Sequence, residues 1–178
     1  IGMVLSGKPL LSAKGAKIGP YLTNIRSLAV RSVPVGGDSA VFTENGEIKL
    51  ADYRLGPAAC LGGPNPTPTD AMRFLNLTDY GSLAKAEQAL ASLLPENKRE
   101  YSHIRETAKS IMRQVAEKIG RAIEQLQLEW QEEPAYKIWQ VLHQQEDPRF
   151  DIRLSGGAAP GLVRVLEDRM KVNTVITH

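Results

Sequence analysis

The sequence predicts an α/β fold with a β-rich first part, a helical middle and a strand–turn–helix–strand unit at the end, read as a single lobe over residues 1–178. Three observations predict it. Residues 1–55 carry short apolar runs broken by turn residues, the punctuation of strands. Residues 72–146 place apolar side chains three and four apart, the period of an amphipathic helix. Residues 150–178 read as strand, glycine turn, helix and strand, and two strands joined through a helix imply a parallel pair.

In chain order, IGMVL, the turn SGKP and LLSA predict a hairpin, because glycine tolerates the positive φ of a tight turn. Residues 21–31 fit an extended loop or a short strand. The run Val33–Val35 ends at Gly36-Gly37-Asp38, and Ala40–Thr43 resumes as strand. ENGE at 44–47 predicts a two-residue hairpin turn, after which Ile48–Leu50 returns. Thr69 or Asp70 is placed to cap a helix starting at Ala71. A second helix is expected over 82–94, with Leu83, Ala86, Leu90 and Leu94 on its apolar face and Pro95 as its stop. A long helix is expected over 97–130, with Ile104, Ala108, Ile111, Met112, Val115, Ile119, Ala122, Ile123 and Leu126 inward. Gly120 in its middle costs about 1 kcal/mol relative to alanine, which fits a position of close packing. Pro134 is expected to start a helix through His143 with Trp139 and Leu142 inward, followed by a turn at 146–149. Phe150–Leu154 is then a strand, Ser155–Ala158 a turn, Pro160 a helix-start proline, and Lys171–Thr177 the last strand.

Composition removes several classes of function. A net charge of +2, with basic residues scattered among acidic ones and few aromatics, argues against a nucleic-acid partner. A single cysteine excludes an internal disulfide framework and points to a cytoplasmic protein. No apolar run approaches a membrane span, no signal peptide is expected, and no metal-ligand spacing stands out. The chain opens on Ile1 inside a strand-like run and closes on VNTVITH, which leads us to expect a piece of a longer protein.

The most informative run is GPAACLGGPNPTPTDA, Gly56 to Ala71. Its prolines fix φ and remove backbone donors, so it reads as a stiff crossover between the β-rich and helical parts. Two glycine turns are candidate cofactor-binding sites, places where a backbone can approach a phosphate, a base or a substrate. SGGAAPG places Gly156, Gly157 and Ala158 between a strand and a helix, where backbone is accessible and helix N–H groups are unpaired. It lacks the Gly-Lys-Ser/Thr of a phosphate loop and is structural about as often as functional. VPVGGDSAVF places Gly36 and Gly37 between two strands, with Asp38 and Ser39 beside them; the plain alternative is a bulge or hairpin turn. Asp38 and Asp70 are the candidate catalytic carboxylates, with Asp52 also weighed, although a lone loop carboxylate is normally a cap or solvated. Cys60 is more simply a small buried apolar group than a nucleophile. His103 and His143 lie on predicted helices with no second ligand at helical spacing. Trp130 and Trp139 read as packing residues, and Glu129, Glu132 and Glu133 as a solvated helix end.

Together these stretches resemble the A-type subunit of the hydantoinase/oxoprolinase family. GPAACLGG followed by PTPTDA is similar to its G-P-A-C-x-G…P-T-x-T-D-A signature, with one extra alanine. VPVGGDSAVF is similar to its glycine-rich segment, without the longer G-x-G-G-G-S run. IMRQVAEKIGRAI at 111–123 matches the spacing I-x-x-V-A-x-x-x-x-x-A-I, and LSGGAAPGL is similar to its G-G-A-x-P strand end. The helical segment between 82 and 146 follows the family pattern poorly.

The resemblance implies a ribonuclease-H-like lobe of the actin-like, sugar-kinase-like ATPase superfamily, here truncated. It also implies ATP and Mg²⁺ as cofactors of the longer protein, with Gly156 and Gly157 facing adenine and ribose. The Asp-x-Gly-Gly-Thr phosphate motifs of that superfamily are not in this sequence, and one is expected just upstream of Ile1. The implied activity is ATP-dependent hydrolysis of a cyclic amide of the hydantoin or 5-oxoproline type. Implied partners are a small-molecule substrate, the remaining lobe of the protein, and a partner subunit or second copy. Two alternatives stay open: a non-hydrolytic member such as a small-molecule kinase, and a helical scaffold without ligand.

Overall fold

The computed structural model describes residues 1–5, 7–12, 15, 17, 18, 21–23, 25, 27–134, 137, 138, 141 and 150–177. Among them the chain is a mixed α/β protein, with four α-helices and small two-stranded sheets. It divides into two compact units, Ile1–Val33 with Arg121–Arg149, and Pro34–Gly120 with Phe150–His178.

The first unit begins as short antiparallel ladders. β1 (Val4–Leu5) pairs with β2 (Lys8–Pro9), closed by Gly7 at φ +77°. The turn is tighter than the expected SGKP, since Leu5 pairs with Lys8 directly, and the Leu10 N–H still donates to the Met3 carbonyl at 2.9 Å. Of the expected LLSA partner, β3 (Leu11–Ser12) pairs instead with β6 (Ser27–Leu28), while β4 (Lys17–Ile18) pairs with β5 (Tyr21–Leu22). The ambiguous stretch 21–31 thus contains two strands. In the same unit Arg31 forms an ion pair with Glu129. Ala122 and Leu126 are buried, as their spacing predicts, and so is Trp130, read as a packing residue. The acidic cluster is not uniformly solvated: Glu129 and Glu132 are exposed, whereas Glu133 is 9% exposed.

The second unit holds the apolar core. β7 (Ser39–Glu44) and β8 (Glu47–Arg54) form a hairpin whose turn residues, Asn45 and Gly46, sit at φ 52° and 78°. Both positive angles suit a turn that follows the right-handed twist of its strands. β8 runs past the expected end at Leu50, because Ser39 pairs with Arg54 across an irregularity between Ser39 and Val41.

α1 spans Pro68–Phe74 and is capped by Thr67 rather than by Thr69 or Asp70, so it starts three residues before the predicted Ala71. The reason is local. Pro68 at the first helical position has no N–H to lose, and only Thr67 stands three residues before a carboxylate, Asp70, that can return the bond. α2 (Leu83–Ser92) is capped by Ser82 and buries Ala86 and Leu90, with Leu93 just beyond; Leu83, expected inward, is 47% exposed. It stops before Pro95 because the Leu93 and Leu94 amides turn back to Leu90 and Ala91.

α3 (Tyr101–Gln131) starts later than predicted, since residues Glu96–Lys98 form a separate 3₁₀ turn. Ile104, Ala108, Ile111, Met112 and Val115 are at most 3% exposed, so the predicted apolar face is the buried one. Its Gln114 and Lys118 side chains donate to the carbonyls of Ile48 and Leu50 in β8 at 3.0 and 3.1 Å. These bonds hold the helix across the hairpin. The expected helix from Pro134 to His143, with Trp139 and Leu142 inward, and the turn at 146–149 lie largely outside the described residues.

The terminal unit is as predicted. β9 (Ile152–Leu154) lies parallel to β10 (Thr174–Ile176), joined by α4 (Ala159–Met170). Lys171 at φ 57° ends α4. Gly120 of α3 does permit close packing: a Cβ there would meet Met170 Sδ at 3.0 Å and the Arg169 side chain at 3.2 Å.

Candidate functional site

The crossover loop is organised by one carboxylate. Asp70 is fully buried, and its two oxygens accept from the backbone N–H of Ala59 (3.2 Å), Cys60 (2.6 Å) and Thr67 (2.8 Å) and from Thr67 Oγ1 (2.9 Å). Thr67 Oγ1 in turn accepts from Asp70 N, which completes a reciprocal cap. Placed by these bonds, the chain from Pro57 to Asn65 folds back on itself through an isolated bridge between Ala58 and Asn65. A Cβ on Gly63 would lie 1.6 Å from the Pro57 carbonyl oxygen, so only glycine fits. Cys60 is buried beneath this fold. Its thiol is pushed up to about 12, first by burial and then by the neighbouring Asp70 carboxylate. The prolines predict a stiff loop, and the buried carboxylate adds hydrogen bonds that tie its two ends together.

α1 then touches both glycine-containing motifs, at Gly37 and at Gly161. The backbone N–H and Oγ1 of Thr69 both donate to the Gly37 carbonyl, at 3.0 and 2.9 Å. A Cβ on Gly37 would sit 2.6 Å from Thr69 Oγ1, so the close approach requires glycine. One turn along, Met72 packs against Gly161 in the first turn of α4; a Cβ there would meet its Sδ at 2.1 Å. Three sequence motifs, VGGDS, PTPTDA and SGGAAPG, therefore meet along one short helix.

Beside α1 the Gly36–Gly37 turn opens on a shallow cleft of about 320 Å³, lined by residues 34–39 and by Asp52, Tyr53 and Arg54 of β8. Within the turn, Gly36 N–H donates to Ser39 Oγ at 2.9 Å and Ser39 N–H to the Gly36 carbonyl at 3.2 Å. Ser39 is thus consumed by the turn it follows. Asp38, Asp52 and Arg54 make no ion pair or hydrogen bond through their side chains to another described residue. The predicted extent of the second strand hid Arg54. Had the strand been carried four residues beyond Leu50, its two-residue period would have set Asp52 and Arg54 on one face.

The second glycine turn stands clear of its surroundings. Gly156 has φ +100°, and a Cβ on Gly156 or Gly157 would meet nothing within 4 Å. Ala158, half-buried behind them, carries no side-chain cap for α4. The structure therefore places Gly36, Gly37 and Asp38 at the cleft, Gly156 and Gly157 at an open turn, and Asp70 inside the loop with its oxygens occupied. His103 is exposed on α3, and His143 lies outside the described residues. No group of three or more His, Cys, Asp or Glu side chains among the described residues could hold a metal ion. No helix there is long and apolar enough to cross a membrane.

Comparison with known proteins agrees with the motifs. The family model for hydantoinase/oxoprolinase proteins matches residues 1–178. No curated protein and no solved structure matches the chain. The match spans the ladders, the Asp70-centred loop, the long helix and the parallel unit alike, and the chain belongs to the hydantoinase/oxoprolinase family.

Proposed function

We propose that the chain is part of an ATP-dependent hydrolase of cyclic amides of the hydantoin or 5-oxoproline type, with a ribonuclease-H-like lobe of the actin-like ATPase kind. The observation that carries this reading is the family match over residues 1–178. The parallel β9–α4–β10 unit with its open glycine turn supports the nucleotide part of it.

ATP, when bound, would supply the phosphoryl group that turns an amide oxygen into a better leaving group before water opens the ring. The residues present fit its adenosine side. Gly156 and Gly157 leave space for a flat base or ribose to approach the backbone, while at the start of α4 the Ala159 N–H is already spent on the Gly156 carbonyl and Pro160 has none. They do not supply the phosphate side, since no Asp-x-Gly-Gly-Thr motif occurs in the sequence. α1 positions the Gly36–Gly37 turn through Thr69, and the crossover loop holds α1 in place through Asp70. Phosphate ligands would come from the rest of the protein or a partner subunit, in the cytoplasm.

The test is an assay of the protein in its longest expressed form with hydantoin and 5-oxoproline, following ADP and ring-opened product together. The expected result is ADP released in step with ring opening. A phosphorylated, still cyclic product would replace the hydrolase reading with that of a small-molecule kinase. The 178-residue chain by itself is expected to turn over neither ATP nor ring. Turnover by it alone would overturn the division of labour proposed here.

A further inference from the structure

We propose that the cleft beside Gly36 is the substrate end of this site, and that Arg54 reads a carboxylate on the cyclic amide while Asp38 and Asp52 face its ring N–H. The inference rests on the cyclic-amide reading above and narrows it to anionic rings of the 5-oxoproline type over neutral ones.

Size is the first reason. At about 320 Å³ the cleft lies at the small end of ligand pockets, which run from about 300 to 1,000 Å³. It suits a single small ring. Charge is the second. Two carboxylates and one guanidinium line one small space, and none is neutralised by a described neighbour. A ligand that satisfies both signs carries one carboxylate and at least one N–H donor. A guanidinium can bind a carboxylate through two parallel hydrogen bonds, which gives direction as well as attraction. The aspartates accept from an N–H and offer nothing to an anion.

A phosphate, with more negative charge than a single carboxylate, fits less well here, because two carboxylates stand beside one guanidinium. Access is open where it matters, since nothing lies within 4 Å of a Cβ on Gly36. The wall behind is firm, because Thr69 holds the Gly37 carbonyl with two bonds.

Backbone amide signals of the isotopically labelled chain, followed during titration, test the proposal with three probes. 5-Oxoproline and 2-pyrrolidinone share the lactam ring and differ in the carboxylate; Mg-ATP is the third. The expected result is saturable movement of the Gly36, Gly37 and Asp38 signals with 5-oxoproline, and binding at least tenfold weaker with 2-pyrrolidinone. Arg54→Gln should bring 5-oxoproline down to the level of 2-pyrrolidinone, with Arg54→Lys in between because it keeps the charge and loses the fork. Arg54 is exposed, so neither variant should disturb the fold, and an unchanged spectrum away from the cleft checks this. Equal binding of the two lactams, an unaltered affinity in Arg54→Gln, or movement with Mg-ATP in place of 5-oxoproline would each overturn the proposal. So would the absence of any movement. The hydrolase reading is judged separately by ring opening in the longest expressed form. Ring opening unaffected by Arg54→Gln sinks this inference and leaves that reading standing. Binding at the cleft without ATP-dependent ring opening does the reverse.

Discussion

The crossover loop and the cleft both contain aspartates, and they use them in opposite ways. Asp70 is buried and accepts from three backbone amides and a hydroxyl, so its oxygens are occupied by its own chain. Asp38 and Asp52 border open space and bond through their side chains to no other described residue. The loop holds the more recognisable motif, yet its polar groups are turned inward. The cleft holds the plainer sequence and the groups a ligand could reach. A motif can mark a family because it builds a scaffold, while chemistry is left to residues that the scaffold aims.

The largest effect should come from removing the inward carboxylate. Asp70→Ala strands the N–H groups of Ala59, Cys60 and Thr67 and should cost about 3–5 kcal/mol in urea unfolding. Asp52→Asn, on an exposed residue, should stay within about 0.5 kcal/mol of the parent. Similar losses in the two variants would erase the distinction between loop and cleft.

A smaller contrast lies inside one glycine pair. Gly37→Ala drives a methyl against Thr69 Oγ1 and should cost about 1–3 kcal/mol, with faster amide exchange in the turn. Gly36→Ala meets open space and should cost less than about 0.5 kcal/mol. If Gly36→Ala proves the worse variant, the turn is not held from the α1 side.

The mildest test is of pH. The Cys60 thiol titrates near 9 when unfolded and at about 12 in the folded chain, so the folded state holds its proton more tightly. That contribution to stability is fully present below pH 9 and is lost as pH rises from about 9 to about 12. Unfolding midpoints across this range should fall more steeply for the parent than for Cys60→Ala. Native Cys60 should also resist alkylation at pH 8, where its thiolate is scarce. Rapid native labelling would show that the loop opens readily.

Much of this architecture was legible beforehand because it is written in local patterns. The Asn45-Gly46 turn, the buried face of α3 and the strand–turn–helix–strand unit follow from turn chemistry and from periods of 2 and 3.6 residues. The cap of α1 was local but ambiguous. Thr67, Thr69 and Asp70 all lie near the helix start, and the three-residue spacing that makes a reciprocal cap decides among them. The extent of β8 was missed because its last pairing, Ser39 with Arg54, spans an irregular ladder that no period reveals.

By itself, then, the sequence determined most of the kinds and order of elements and the family, since each rests on neighbours along the chain. Only the tertiary structure decided what the aspartates do. Burial of Asp70 under Ala59 and Cys60, the tether from Thr69 to Gly37 across 32 residues, and the seating of Gly161 on Met72 all depend on distant segments meeting. Whether a carboxylate is spent or free is set by which donors arrive around it, and that is a property of the packed chain.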